Sequence, residues 1–484
     1  MRNFYQRLIL MATLVASSVS AFAVPFNSFD PRSMAMGGVG VAIGDPSTAP
    51  FFNPALLSAG DRRKKFALEL PIIGMRLYDP SSMRSNLTSL SDDITALESA
   101  ITAANASANA TTAAQVSLLP TTLTTLASAI TKVNTALSAL NSQPVQGEIG
   151  AATVVSMPGK GLGVAFYADA WAAFGGTLEY NDAATLTSLS TAVTSTANAL
   201  SAATIVAGTN CANPLTTTEV QACIAAAGTA ASALVSAQGV VNFSTNTNIA
   251  SKLHMRGVAI TEAGISLSHG FVSADRRFSI GITPKIMRLH MYDASLAANA
   301  GGINGMTGSD YYAFYSSPNI DIGITKNFPE GFRTGLVVKN AISHTYDFKS
   351  AVTPGTTPVA NGSKLTIRPM VRAGIAYEIP LFTIAVDADL TKNDPAGLEN
   401  YSQYVGLGIE AGISEWTHLR VGYRNDMLDK TRRDIVSAGI GISPRLPFFK
   451  PHFDLAVTSS PNLLRDGYEK VNEVGFSFRF GFNF

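Results

Sequence analysis

Histidine is the side chain best suited to proton transfer or metal ligation near neutral pH, and this chain spreads its six singly, at 254, 269, 290, 344, 418 and 452. Neither an H-E-x-x-H pair nor a nucleophile elbow accompanies them. The sequence therefore offers no catalytic residues and no metal ligands, and it implies no enzyme and no cofactor. The two cysteines, Cys211 and Cys223, are not spaced as C-x-x-C, so the dithiol of thioredoxin-like exchange is missing. In an oxidising compartment they are expected to pair and to staple a loop tip. Gly37, Gly38 and Gly40 invite a phosphate-binding reading, yet no strand precedes them and no helix opens at the last glycine. Small residues there suit a backbone that packs tightly inside a confined lumen.

The remaining polar constellation is a set of charges on consecutive period-two segments. Arg368 and Arg372 lie on one segment, Asp387 and Asp389 on the next, Glu410 on the third, and Arg420 and Arg424 on the fourth. All face away from the apolar side of their segments. Opposite signs on neighbouring strands form either a ladder of ion pairs that rigidifies a wall, because buried charges need partners, or a polar pathway through an interior.

The elements that carry these charges follow from composition. Hydrophobic residues make up 46% of the 484 and charged residues only 14%, against roughly 25% in a soluble domain. Something other than water faces much of this chain. After the N-terminus no apolar window is long enough for a membrane-spanning helix. A closed sheet is the other way to satisfy every backbone group in lipid. With 35 basic and 34 acidic residues, bulk charge gives no footprint for nucleic acid.

Residues 1–23 read as a secretory signal, with Arg2 and Arg7 as the positive region, Leu8 to Val15 as the apolar one, and Ala21-Phe22-Ala23 as the cleavage site. Export leads to the outer membrane of a Gram-negative-type cell. From there on, period-two alternation marks fourteen candidate strands from 66–79 to 471–484, among them 332–348 and 364–378. In the last one, Val474, Phe476, Phe478, Phe480, Phe482 and Phe484 share one face, while Glu473, Gly475, Ser477, Arg479, Gly481 and Asn483 share the other. Every second connection is short, as at Pro158–Lys160 and Ile379–Pro380, whereas 80–147, 181–250, 294–313 and 349–363 are long. Short turns belong to the periplasmic side and long loops to the exterior. A glycine pair at Gly175-Gly176 is expected to kink the third strand and open the wall sideways.

The two largest insertions change period. Met83, Leu87, Leu90, Ile94, Leu97 and Ile101 are alternately four and three apart, and Leu123, Leu126, Ile130, Val133, Leu137 and Leu140 repeat the spacing after Pro120. That predicts a helical hairpin over 80–147. Leu186, Leu189, Val193 and Leu200 open a similar one in 181–250, whose second helix contains Leu234. The competing account of both is a Ser/Thr-rich linker.

The stretch SMAMGGVGVAIGDPSTAPFFNPALLS resembles the start of FadL-type outer-membrane proteins, and in particular the conjugal transfer TraF-like family of the F-plasmid transfer operon type. The resemblance implies a 14-stranded antiparallel outer-membrane β-barrel over 61–484, with a luminal hatch at 24–60. Gly37, Gly38, Gly40, Asn53, Pro54 and Ala55 would form the hatch motif, the last three matching the family's Asn-Pro-Ala element. The terminal Phe484 likewise resembles the recognition signal of the barrel-assembly machinery. Outer-membrane lipid is the implied surrounding, and two functions stay open. One is a plugged passive channel for hydrophobic small molecules. The other is a surface or assembly protein whose extracellular helical hairpins mediate contacts with other envelope proteins or between mating cells.

Overall fold

The computed structural model describes residues 22–23, 29–59, 66–79, 83–108, 118–159, 161–206, 250–273, 276–297, 311–350, 359–398, 401–428, 434–444, 446, 448–461 and 473–484. Cys211, Cys223 and Leu234 lie outside the described residues, as does nearly all of the expected signal segment.

Successive strands pair antiparallel into a closed barrel of fourteen. The wall begins with β1 (Ala67–Tyr78), β2 (Val145–Met157), β3 (Leu162–Glu179) and β4 (Lys252–Ser273). It continues through β5 (Arg276–Ala297), β6 (Tyr312–Asn327) and β7 (Phe332–Lys339). After an intervening hairpin, β8 (His344–Ser350) with β9 (Val359–Ile367), the wall resumes at β10 (Met370–Ile379) and β11 (Phe382–Asp389). It ends with β12 (Tyr404–Ser414), β13 (Thr417–Asp426), β14 (Asp434–Ile442), β15 (Lys450–Ser459) and β16 (Glu473–Asn483), which pairs back onto β1.

Side-chain parity explains why the sheet closes. On β16, Phe476 is 42% exposed and Ser477 0%, so the aromatics face outward and the polar and glycine residues inward. Ile286 and Ile375 are likewise exposed on the outside while Lys285 and Arg372 are buried on the inside. A wall that is apolar outside and leaves no sheet edge is what lipid requires of strands. Parity is preserved even where β1 carries an extra residue: the register with both neighbours slips around Leu70-Pro71, two consecutive exposed positions, and inward facing resumes at Ile72. No helix among the described residues is long and apolar enough to cross a membrane.

Three departures from the sequence-based expectations have identifiable causes. The segments 332–348 and 364–378 are not single strands. Asn340, with φ +54°, turns the chain after β7, and Arg368-Pro369 breaks it again before β10. The alternation continues through the break because β8 and β9 also have one buried face, but that face lies in the barrel mouth. Arg368 is therefore not on the wall. Gly175-Gly176 makes no interruption: β3 pairs without a register shift with Val145 and Gln146 on one side and Met255 and Arg256 on the other.

The third departure concerns the insertions. Helices α4 (Met83–Ala108), α5 (Leu119–Leu140) and α6 (Ala183–Val206) bury one shared core, with Leu123, Ile130 and Val193 at its centre. The first helix of the second insertion thus packs onto the helix pair of the first, a contact that the spacing within each insertion does not suggest. Asn134 on α5 accepts from Tyr180 Oη at 2.6 Å and donates to Thr187 on α6 at 3.0 Å. The base of the second insertion is clasped by Asp182, which accepts from Ala250 N, Ser251 N and Ser251 Oγ.

Candidate functional site

Residues 29–59 fold inside the barrel, in short helices started by local signals. Asp30 precedes Pro31 and its carboxylate accepts from Ser33 N at 3.0 Å, opening α1 (Pro31–Ala35). Asp45 does the same for Ser47 N ahead of a single 3₁₀ turn. α2 (Ala49–Phe52) and α3 (Leu56–Ala59) follow. Burying Phe52 and Leu57 almost completely contributes roughly 1.5–3 kcal/mol each.

Glycine lets this insert touch the wall. Gly37 has φ +71°, and a Cβ there would lie 2.4 Å from Tyr423 O. From the other side, a Cβ on wall residue Gly281 would meet Ala55 N at 2.4 Å, and one on Gly323 would overlap Asn53 Oδ1. The Asn-Pro-Ala element is thus pressed onto β5 and β6. Asn53 Nδ2 donates to Val41 O within the insert at 3.1 Å and to Ile324 O on β6 at 3.0 Å, while its Oδ1 accepts from Ala55 N. Asp387 receives both Gly40 N (2.7 Å) and Val41 N (2.9 Å). Arg372 Nη1 reaches Gly38 O at 3.4 Å and its Nε pairs with Asp389 at 2.6 Å.

A chain of ion pairs runs along the inner wall of the lower lumen, over β12, β13, β15 and β16, and begins and ends on the insert. Asp30 pairs with Arg479 (2.8 Å), Arg479 with Asp454 (2.5 Å), Asp454 with Arg420 (2.5 Å), Arg420 with Glu410 (2.6 Å), and Glu410 with Arg32 (2.8 Å). Every member but Arg32 is buried. Of the charges singled out in the sequence, Glu410 and Arg420 belong to this chain. Arg424 pairs separately with Glu473 at 2.7 Å. Asp30, Arg32 and Asp454 were missed, although Asp454 has the same inward parity as Asp387. Below the chain, Arg333, Glu378, Leu381, Glu410 and His418 line a recess of about 340 Å³ at the short-turn rim.

Above the insert the lumen changes character. Lys285 is held between Glu262 (2.9 Å) and Asp321 (3.1 Å). Higher on the same inward faces stand Ile260, Val258, Met287, Leu289, Met291 and Ala313, all buried. The hairpin closes this apolar patch by setting Tyr346, Phe348, Leu365 and Ile367 against it. Tyr346 Oη meets Ser317 Oγ at 2.5 Å, Tyr315 Oη donates to Asp347 O at 2.7 Å, and the Arg256 guanidinium lies 4.6 Å from the Phe348 ring centroid. Along β5 the outward positions beside them are Ile286, Arg288, His290 and Tyr292, so the usual rule of polar inside and apolar outside is reversed here and parity alone gives no sign that these aliphatics face the lumen.

Residues 50–389 match the family described as "F plasmid transfer operon, TraF, protein". No curated protein matches the sequence. Among solved structures, the chain is similar to the toluene transporter TbuX of Ralstonia pickettii at 11% identity and TM-score 0.44, over 95% of this chain and 99% of that one. It is similar to a Pseudomonas aeruginosa FadL homologue at 9% identity and TM-score 0.45, over 96% and 99%. The CymD monoaromatic hydrocarbon channel gives 10% identity and TM-score 0.45 over the same shares. With well over half of its length matched, this closed fourteen-stranded barrel belongs to the TraF family of the F plasmid transfer operon.

Proposed function

We propose that the chain is a passive outer-membrane channel for small hydrophobic molecules, plugged at rest by residues 29–59 acting as a hatch. The observation that carries this reading is the apolar patch of Val258, Ile260, Met287, Leu289 and Met291 on the inner wall. Barrel interiors are ordinarily polar, and five large aliphatics turned inward at mouth level give an apolar solute a surface to leave water for. At rest the patch is covered by the β8–β9 hairpin and the path below it by the hatch. A solute entering from the long-loop side would replace Phe348 and Ile367 on the patch, then wait for the hatch to shift.

Where a solute leaves the lumen follows from the weakest seam. β6 and β7 pair only from Ile322 with Val338 to Asn327 with Arg333, and above that point the edge of β6 meets the turn at Asn340–Ile342 instead of a strand. That seam replaces Gly175-Gly176 as the place for a sideways exit. In this reading residues 1–23 are removed on export near Ala23, the barrel-assembly machinery inserts the chain, and the long loops face the cell exterior.

The deciding measurement is uptake of a hydrophobic fluorescent solute into liposomes holding the purified barrel. Uptake is expected to exceed that of empty liposomes and to rise again when residues 29–59 are deleted. Rates equal to empty liposomes, or unaffected by the deletion, would overturn the proposal.

A further inference from the structure

At the mouth of the barrel one ladder row runs from Tyr78 through Gln146, Gly175 and Arg256 to Asp293, all with inward parity. Gln146 is 1% exposed, and neither its Nε2 nor its Oε1 has a hydrogen-bond partner among the described residues. Buried amides are nearly always satisfied, so this one is set to receive a partner from outside the chain. The next position in the row, Gly175, has no side chain. A Cβ there would lie 3.0 Å from Val145 O, 3.7 Å from Gln146 Cβ and 3.7 Å from Leu398 Cδ1, which roofs the spot from the segment after β11. On the far side of Gly175, the Arg256 Nε is also buried and unpartnered.

Charge decides what this niche prefers. Arg256 is already neutralised by Asp293, at 3.0 Å, which His254 also contacts at 2.6 Å. No uncompensated positive charge is left to draw in an anion. A carboxylate would satisfy the donors of Gln146 and Arg256 but leave Gln146 Oε1 facing another acceptor. A carboxamide satisfies both atoms of Gln146 at once, with its N–H on Oε1 and its carbonyl on Nε2 or on Arg256 Nε. The neighbouring inward residues are Ala173, Val258 and Met291, so an apolar chain attached to that head has a surface to lie on.

We infer that Gln146, Gly175 and Arg256 form a head-group site for uncharged amphiphiles carrying a carboxamide, whose apolar chain takes the place of Phe348 on the luminal patch. This deepens the channel reading and rests on it. Trp171 borders the same patch and serves as reporter once the other tryptophan is removed as Trp416→Phe.

Binding of decanamide, decanoate and decane to the full chain in detergent would be followed by Trp171 fluorescence, at a pH where decanoate is ionised. Decanamide is expected to bind about tenfold more tightly than decanoate, the worth of one well-placed hydrogen bond. Gln146→Leu should lower its affinity to that of decane and leave decane unchanged. Gln146→Glu, which keeps the shape, should also lose the amide preference, and an unboiled gel checks that each barrel is closed. Equal affinities for amide and acid, or a preference that survives Gln146→Leu, would overturn the head-group site. If decane binds without any amide preference, the site falls and the channel stands; if no probe, decane included, perturbs Trp171, both fall.

Discussion

Arg479, on the last strand of the barrel, donates from Nη1 to Asp30 Oδ1 at 2.8 Å, so the end of the sheet holds the start of the luminal insert. The same guanidinium pairs with Asp454 and lies 3.9 Å from Glu69. Removing one member of a buried pair is far costlier than replacing both, because the partner is left charged and alone. Arg479→Met should therefore cost about 3–5 kcal/mol. The temperature at which the unboiled barrel loses its fast gel mobility would fall. The double change with Asp30→Asn should recover part of that loss, and full additivity would argue that the two residues do not interact.

The fit between insert and wall predicts a leak. Gly323→Val would place side-chain atoms where Asn53 Oδ1 now sits, and Gly281→Leu would displace Pro54 and Ala55. Both should raise passage of small polar solutes through reconstituted barrels without changing heat modifiability. Gly161→Ala is the control, since a Cβ there meets nothing within 4 Å. A wild-type conductance for Gly323→Val would mean that the insert does not seal the lumen.

Phe348 is 1% exposed against the luminal patch and Arg256. Phe348→Ala removes contacts worth about 3–5 kcal/mol when a phenylalanine is fully packed, which is enough to loosen the hairpin without touching the wall. Hydrogen exchange of β8 should accelerate by at least an order of magnitude, and uptake of a hydrophobic solute should increase several-fold. Unchanged exchange would show the hairpin is held by other contacts.

The helices and the barrel should be separable. Val193 is fully buried in the shared helical core, so Val193→Asp would unpack α6 from α5. Helical circular dichroism should drop while heat modifiability and solute uptake stay as they were. Loss of uptake would tie the helices to transport.

At the base of the second insertion, acidity should act through Asp182. Burial alone would raise its pKa, but hydrogen bonds from Ser251 Oγ, Ala250 N and Ser251 N outweigh this and hold it below the usual carboxylate value of 3.8. A depressed folded pKa contributes stability that is present above the unfolded value and is lost as pH falls through the folded one. The clasp should open only below about pH 4, seen as faster exchange at Ala250 and Ser251. Asp182→Asn should remove that pH dependence, and a transition nearer neutrality would point to another group.

What the chain determines by itself is the period. Alternation along β16 and its partners puts phenylalanines outward and Arg479 inward whatever surrounds them, because a strand has only two faces and lipid tolerates only one kind. Loop lengths are equally local, and so are legible. Which inward charges meet, and that Asp30 and Arg32 close the row at both ends, depends on the register around a closed barrel and on how the insert is seated. The hairpin shows the limit most plainly. Its alternation is as regular as that of a wall strand, and one residue with positive φ, Asn340, together with Pro369, sends it into the mouth. Period fixes which face is buried; only tertiary packing fixes what buries it.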